Sequence, residues 1–231
     1  VSQVVRIDTA LYAAVADVAG ARGGLLRLEF GASAFERLPA PPLMASAVVK
    51  KNGALLLATV GGLYASTDRG ATWVRRSRAG EAPFGQPVKA LVAATAAQRI
   101  FAVAAAGTLF HSDDEGTTWS QGLVKGKVEG VAAGGSFVLL HSDVEGALRS
   151  DNYGNTFRPL TFAPAAHAFA VVGARAFLGT QGAVSVSDDG GASWRDASDG
   201  LPPSTDVRAL FAAGPALIAS GAGQVFVAAV E

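Results

Sequence analysis

A short motif that combines a serine, an acid, a glycine and an aromatic residue recurs along this chain. It has the form Ser-x-Asp-x-Gly-x-Thr-Trp, and its four copies are STDRGATW (66–73), SDDEGTTW (112–119), SDNYGNTF (150–157) and SDDGGASW (187–194). Carboxylates beside hydroxyl groups can bind Ca²⁺ or act as general acids and bases. The same residue types also close tight turns, in which the carboxylate accepts backbone N–H bonds. Which of these roles the motif has depends on the strands and turns in which it lies.

The copies recur at a nearly constant interval. Trp73, Trp119, Phe157 and Trp194 are separated by 46, 38 and 37 residues, and 38 residues before Trp73 stands Phe35 in a degraded copy, LEFGASAF (28–35). A glycine-led apolar segment precedes every copy, and a sixth such segment, GQVFVA (223–228), lies near the C-terminus. Six units over 231 residues give 38.5 residues per unit. A period of this length is typical of a repeat architecture.

Each unit contains short apolar or alternating runs separated by glycine or polar residues. In the third unit these runs are Val88–Ala94, Arg99–Ala105, 107–112 and Thr117–Gln121. Such runs are typical of strands, and none reaches the length of a helix. Four antiparallel strands in about 40 residues are the size of one propeller blade. The sequence therefore predicts an all-β fold, a single domain over residues 1–231 that is a six-bladed β-propeller of four-stranded antiparallel blades.

The two ends of the chain suggest how the propeller closes. The sixth unit ends one strand short, and residues 1–6 (VSQVVR) precede the run DTALYAAV (8–15), which the repeat assigns to the first strand of unit one. We therefore expect residues 1–6 to pair as the outer strand of the last blade and cover its open edge. In the alternative, these residues are the innermost strand of blade one and the last blade has three strands.

The motif resembles the Asp box, or bacterial neuraminidase repeat, of sialidases, sortilin-type receptors, xyloglucanases and the photosystem II assembly and stability factors. The resemblance implies a hairpin between the third and fourth strands of each blade, on the face opposite the binding site. The residues expected to fix this hairpin are Asp68, Gly70, Trp73, Asp114, Gly116, Trp119, Asn152, Gly154, Phe157, Asp189, Gly191 and Trp194. We expect the acids to accept backbone bonds, the glycines to adopt positive φ and the aromatic rings to pack between sheets.

Two copies depart from the pattern. Asn152 stands where the acid is expected, and an amide oxygen can accept the same turn bonds. In the degraded copy, Leu28, Phe30 and Ala32 replace the serine, the acid and the glycine, so we expect packing alone to hold that hairpin. We interpret the box acids as turn residues and not as metal ligands or catalytic groups, because the resemblance implies that each carboxylate is occupied by its own backbone.

Composition excludes several kinds of site. The chain has 19 Lys and Arg residues and 19 Asp and Glu residues. It therefore has no excess of positive charge that would favour binding to nucleic acid. The chain has no cysteine, which removes disulfides, zinc–thiolate sites and thiol nucleophiles. Its apolar stretches, such as 131–142, are too short for a membrane-spanning helix. The three histidines share no metal-ligand spacing. We therefore expect no metal, no cofactor, no nucleic-acid partner and no membrane span.

A binding site is expected on the face opposite the boxes. The longest crossing between blades, VRRSRAGEAPFGQP (74–87), accounts for the 46-residue interval and concentrates charge and an aromatic residue. Our candidate interface there is Arg75, Arg76, Arg78, Glu81 and Phe84. Arginine forks and exposed aromatic rings are favoured at protein interfaces, although a solvated insertion would have the same composition. The crossing 195–206, rigidified by Pro202 and Pro203, is the second candidate.

The resemblance favours a non-catalytic binding or scaffold propeller that acts on a protein partner, as in the assembly factors. The alternative is a sialidase-like glycoside hydrolase or a sugar-binding propeller. Asp143 and Glu145 are the one pair of acids in a loop on the expected binding face, but a hairpin tip is usually solvated. The chain lacks the Arg-Ile-Pro motif that the sialidase resemblance requires, and all three tryptophans belong to boxes. We further expect a monomer and, from the family, a periplasmic or secreted location.

Overall fold

The structure, a computed structural model, describes the greater part of the chain. The described residues are 3–15, 23–39, 44–78, 86–94, 96–160, 166, 168–203, 205–213, 216–221 and 224–229. Within them every regular element is a β-strand. The described part of the chain contains no helix that could span a membrane.

The strands form six antiparallel sheets, each one blade. Blades one to three contain β1 (Gln3–Ile7), β2 (Ala10–Val15), β3 (Gly24–Glu29), β4 (Glu36–Arg37), β5 (Ala45–Lys51), β6 (Ala54–Thr59), β7 (Gly62–Ser66), β8 (Val74–Arg78), β9 (Val88–Ala93), β10 (Ile100–Ala104), β11 (Leu109–Ser112) and β12 (Ser120–Gln121). Blades four to six contain β13 (Val128–Ala133), β14 (Val138–Ser142), β15 (Gly146–Ser150), β16 (Arg158–Pro159), β17 (Ala168–Val172), β18 (Arg175–Gly179), β19 (Val184–Ser187), β20 (Arg195–Asp196), β21 (Ala209–Ala213), β22 (Ala216–Gly221) and β23 (Gln224–Ala229). The predicted all-β, six-bladed β-propeller fold is confirmed.

The apolar content of each strand depends on its position in the blade. Middle strands such as β10 are buried on both faces, so they appear as continuous apolar runs. The fourth strands β4, β12, β16 and β20 are only two residues long, and both residues of each are exposed. The third strand of each box-containing blade ends at the serine that opens the box. Burial is therefore greatest in the second and third strands, as in β10 and β7, lower in first strands such as β9, and lowest at the outer edge.

The blades group into two compact units. One unit comprises residues 1–93 and 98–122, which hold blades one to three, and the other comprises residues 94–97 and 123–231. Leu25, Leu57 and Phe101 are fully buried in the first unit. Leu139 and Leu178 are fully buried in the second. The prediction of one domain over residues 1–231 stays a prediction.

The N-terminal strand lies in the first blade. β1 pairs with β2 along its whole length, so the expectation that residues 1–6 complete the last blade is wrong and the alternative is correct. The physical reason is a tight hairpin, in which Ile7 pairs with Ala10 across the turn at Asp8 and Thr9. The side chain of Gln3 adds bonds to other blades: its Nε2 donates to the carbonyl of Leu91 at 3.2 Å, and its Oε1 accepts from the N–H of Val48 at 2.7 Å. These partners lie on β9 and β5, the first strands of blades three and two. Gln3 thus joins the inner strands of three blades.

The boxes share one face with the turns between first and second strands, as predicted. In the first unit, Asn52 Nδ2 of the β5–β6 turn donates to Glu115 Oε1 of the blade-three box at 2.9 Å. In the second unit, the N–H of Gly190, in the blade-five box, donates to the carbonyl of Ala174 in the β17–β18 turn at 2.9 Å. The loops between second and third strands lie at the opposite ends of the strands.

Candidate functional site

In the acidic boxes the carboxylate fixes its own hairpin. Asp114 Oδ1 accepts the N–H of Thr118 at 2.8 Å, and Oδ2 accepts the Thr118 hydroxyl at 2.7 Å. The Ser112 hydroxyl donates to Asp114 Oδ1 at 2.8 Å and accepts the N–H of Gly116 at 2.8 Å. Equivalent bonds hold the boxes at Asp68 and Asp189. The interpretation of the box acids as turn residues is supported by these bonds.

The fourth box shows how far an amide replaces the acid. Asn152 Oδ1 accepts the N–H of Thr156 and the hydroxyl of Ser150, both at 2.9 Å. Asn152 Nδ2 donates to the Thr156 hydroxyl at 2.9 Å, so the third bond of the box is kept with its direction reversed. The amide therefore satisfies the same hairpin without a charge.

Backbone conformation explains the box glycines. Gly70, Gly116, Gly154 and Gly191 have φ of +94°, +81°, +81° and +88°. The prediction of positive φ is confirmed at all four. The residue before each glycine is also left-handed, and three of these residues carry a side chain, namely Arg69, Glu115 and Tyr153. The motif alone did not indicate this second left-handed residue, because a different amino acid stands at that position in each box.

The box tryptophans have a second role that the sequence did not predict. The indole Nε1 of each donates to the carbonyl of its own box glycine, at 3.2 Å for Trp73, 3.0 Å for Trp119 and 3.1 Å for Trp194. The rings are partly buried and pack on the apolar clusters between blades. Each ring therefore ties the hairpin to the blade core.

The turn bonds shift the acidity of the box carboxylates. The hydroxyl and N–H of Thr72, with the Ser66 hydroxyl, lower the pKa of Asp68 to about 2. The N–H of Thr118, with the Thr118 and Ser112 hydroxyls, lowers the pKa of Asp114 to about 2. The pKa of Asp189 is lowered even further, first by the Ser193 hydroxyl. Low pKa values and occupied oxygens describe structural carboxylates, which are poor general acids.

We expect Asp114→Ala to lower the free energy of unfolding by about 1 kcal/mol at neutral pH, because it removes the turn bonds at an exposed hairpin. Asp114→Asn is expected to cost less, since Asn152 keeps the same hairpin closed. The folded pKa of about 2 lies below the unfolded value of about 3.9. The stabilisation from the charge is therefore present above the unfolded pKa and is lost as the pH falls through about 2. Urea denaturation between pH 7 and pH 2 measures this; a wild-type advantage over Asp114→Asn that stays constant down to pH 2 contradicts it.

In three boxes the acid directly after the box serine, which is Asp113, Asp151 or Asp188, binds arginine. Asp113 accepts two bonds from Arg99, both at 2.7 Å, and these lower its pKa. Asp188 bonds Arg175 at 2.5 Å and Arg195 at 3.3 Å, and its pKa is lowered by Arg175 first. This role was not predicted from the sequence. An acid directly after the box serine and arginines at neighbouring strand starts are the signal that could have shown it.

The degraded box is held by more than packing, so that expectation is wrong. The N–H of Phe30 donates to the carbonyl of Thr9 at 2.9 Å, and Arg27 Nη2 bonds Glu36 Oε2 at 2.8 Å. Backbone and ionic bonds thus replace the lost acid. Phe30 and Phe35 are 53% and 47% exposed.

The candidate interface begins on β8, the outer strand of blade two. In the other four-stranded blades the outer strand has two residues, whereas β8 has five. The register shifts between Leu63 and Tyr64, so Arg76 is an extra, bulged residue on β8. This bulge and the two further pairs after it extend the strand. We name Val74, Arg75 and Arg76 the arginine edge.

The arginine edge combines a fixed cation with an exposed apolar side chain. Arg75 Nε donates to the Tyr64 hydroxyl at 3.2 Å, and its guanidinium lies 5.4 Å from the centre of the Tyr64 ring. Tyr64 is buried, whereas Val74 is 66% exposed. Within the described residues no strand pairs with the outer side of β8. The edge therefore offers backbone groups, a held guanidinium and an apolar contact together.

Arg76 borders a shallow depression in the same unit. Its floor and rim are formed by Lys51, Ala54, Leu55, Leu56, Ala65, Arg76, Ile100 and Glu115. Burial lowers the pKa of Lys51. Glu115 is held by Asn52 Nδ2 at 2.9 Å. The depression lies on the box face, between the β5–β6 turn and the blade-three box, so the expectation of a site on the face opposite the boxes is wrong for Arg76.

The remaining predicted residues are placed as follows. Arg78 is the last residue of β8, whereas Glu81 and Phe84 lie outside the described residues. Asp143 Oδ1 accepts the N–H of Lys127 at 2.6 Å, and Glu145 Oε2 accepts the N–H of Lys125 at 2.9 Å. These two acids therefore fasten the β14–β15 loop to the segment that precedes β13. Because both carboxylates are used in these bonds, they are poor candidates for a glycosidase pair.

The second crossing packs on a loop of blade five. The N–H of Gly182 donates to the carbonyl of Thr205 at 2.8 Å, and the N–H of Thr205 donates to the carbonyl of Pro202 at 3.0 Å. No group of three or more potential metal ligands lies together in the part of the chain that the structure describes. The second crossing is thus held against the β18–β19 loop by backbone hydrogen bonds. The arginine edge remains the candidate site.

Solved structures with the same arrangement of strands are numerous. The chain is similar to one in a nidogen–laminin complex, with a TM-score of 0.68, 9% identity, and coverage of 96% of this chain and 89% of that one. The chain is a β-propeller. It is also similar to YCF48 bound to D1 peptide, with a TM-score of 0.66, 16% identity, and coverage of 90% and 72%. An ancestral GH74 enzyme gives a TM-score of 0.67 at 14% identity over 100% of this propeller and 35% of that chain.

A family match covers part of this propeller. Residues 26–134 match the family of the DUF6242 beta propeller domain, which is a little under half of the chain. No curated protein matches this chain. The predicted resemblance to β-propellers is confirmed at the level of the fold, and YCF48 is among the similar structures. Because the identities to the solved structures are low, they show the fold alone.

Proposed function

We propose that this protein is a non-catalytic binding propeller that holds an extended, acidic segment of a protein partner against the arginine edge. The carrying observation is β8, a five-residue outer strand where the other four-stranded blades have two residues. An open strand edge can add a peptide strand through backbone bonds. Arg75 and Arg76 add forked donors that suit carboxylates.

Two further observations support this role. Arg75 is already fixed by Tyr64, so little side-chain freedom is lost when it binds a carboxylate. The solved structure of YCF48 bound to D1 peptide shows a similar propeller with a peptide. A hydrolase role has no comparable support, because the acids of the boxes and of the 143–145 loop are bonded to backbone. A periplasmic or secreted location is part of the proposal.

The experiment measures binding of labelled acidic peptides by fluorescence anisotropy. We expect Arg75→Ala/Arg76→Ala to weaken binding by about tenfold or more, since interface arginines often dominate affinity. The matched control is Arg158→Ala/Arg195→Ala, which removes two exposed arginines from the outer strands β16 and β20. The same peptides with glutamine and asparagine for the acids should bind weakly.

Three outcomes contradict the proposal. Equal affinity of the arginine-edge variant and wild type removes the edge as the site. Equal losses in the control variant show general charge attraction instead of a site. Turnover of fluorogenic sialosides or xyloglucan oligosaccharides by the wild-type protein contradicts the non-catalytic role.

A further inference from the structure

The outer strand of the last blade differs from the other outer strands. β4, β16 and β20 carry charged residues or proline in two residues, β12 has two polar residues, and β8 has three arginines. β23 has six residues, QVFVAA, with no charge and no proline. Natural sheets protect exposed edges by short length, charge or proline. β23 has none of these protections.

β23 also exposes side chains that its counterparts bury. It pairs with β22 along its whole length, and within the described residues no strand pairs with its other side. Val225 and Val227 are 67% and 70% exposed. The third strands β7 and β19 are buried at every residue. Phe226, between the two valines, packs on the opposite face against the apolar cluster that includes Val207 and Leu217.

We propose that β23 pairs with β23 of a second copy of this chain around a twofold axis. The sequence is self-complementary in one antiparallel register, which is centred on Phe226. In that register Phe226 lies opposite its own symmetry mate, and Val225 lies opposite the partner's Val227. Side chains alternate along strands, so all four valines then lie on one face and both phenylalanines on the other.

Other registers do not match these faces. A shift by one residue would set Val225 opposite the partner's Ala228 and turn the two apolar faces in opposite directions. A shift by two residues keeps the faces but leaves one valine of each copy without a valine opposite. The centred register alone pairs both open edges and sets every exposed valine beside a valine of the partner. A dimer is the reverse of the monomer expected from the sequence, and it is independent of binding at the arginine edge.

Sedimentation velocity from low to high protein concentration tests the pairing. We expect the wild type to shift from monomer to dimer as the concentration rises. Val225→Lys/Val227→Lys should stay monomeric, because it sets like charges opposite each other. The matched control is Leu123→Lys/Val144→Lys, which replaces two aliphatic side chains that are 93% and 68% exposed on loops of the same unit. This control should dimerise like the wild type.

Mixing charge variants distinguishes lost pairing from lost folding. Val225→Lys/Val227→Lys and Val225→Glu/Val227→Glu are each expected to be monomeric alone and to form a mixed dimer together, since opposite charges then face each other. A wild type that stays monomeric at every concentration, or a dimer that persists in the lysine variant, overturns the proposal. A pair of charge variants that fails to associate when mixed, while the wild type dimerises, also overturns it.

The register is tested by crosslinking, because the chain has no native cysteine. Val225→Cys and Val227→Cys lie opposite each other only in the mixed dimer. We expect the mixture to form a disulfide-linked dimer faster than either variant alone under mild oxidation. Equal rates in the mixture and in the single variants overturn the centred register.

Discussion

Replacing Arg149 by alanine is expected to lower the free energy of unfolding by about 2–4 kcal/mol. Arg149 lies in β15 and is 8% exposed. Its Nε donates to the carbonyl of Gly190 at 2.7 Å, and its Nη2 bonds Asp151 Oδ1 at 2.6 Å. Gly190 belongs to the box of the next blade and is buried. The alanine variant therefore leaves a buried carbonyl without its donor and a space between two blades.

Arg158 provides the matched control for this prediction. It bonds the same Asp151 at 3.0 Å, but its side chain is 58% exposed on β16. Arg158→Ala is expected to cost about 0–1 kcal/mol, because exposed ion pairs contribute little. Urea denaturation followed by tryptophan fluorescence measures both variants. Similar losses for the two arginines would show that burial between blades is not what makes Arg149 important.

Gly182→Ala is expected to lower the free energy of unfolding by about 2–4 kcal/mol. Gly182 has φ of +82°, and a Cβ there would stand 2.5 Å from the carbonyl oxygen of Pro203. The glycine N–H is also bonded to the carbonyl of Thr205 at 2.8 Å. The loop therefore cannot move away from the crossing without losing this bond. The atom in the way is backbone, so no rotamer change relieves the clash.

Gly173→Ala separates the clash from the backbone conformation. Gly173 has a left-handed φ of +62° and no atom within 4 Å of its hypothetical Cβ. Its replacement is expected to cost about 1 kcal/mol, the ordinary cost of a left-handed alanine. Thermal unfolding of the two variants gives the comparison. If Gly182→Ala loses no more stability than Gly173→Ala, the crossing moves away from the added Cβ at no cost, and the prediction is wrong.

The box hairpins show how much a local pattern can predict. Their strands, their positive-φ glycines and the turn role of Asp68 and Asp114 follow from residues within eight positions of each other. Local bonds close each hairpin, so the sequence of one box carries almost all the information needed. The amide at Asn152 obeys the same rule.

The candidate site was predicted less completely. The position of Arg75 and Arg76 after the second box was visible in the sequence, and the composition indicated an interface. The bulge at Arg76 and the bond from Arg75 to Tyr64 were not visible. They depend on pairing with β7, and a one-residue shift in register has no signal in composition.

Period and composition determined the number of blades, the four-strand unit and the hairpin face, because each of these repeats within about 40 residues. Tertiary structure alone decided which strands of neighbouring blades the N-terminal strand contacts, since the amide of Gln3 bonds residues that are 45 and 88 positions away. It likewise decided that Arg149 is buried between blades and that no strand of the described part of the chain pairs with the outer side of β23. Contacts between distant segments are set by packing geometry, and no local pattern records them.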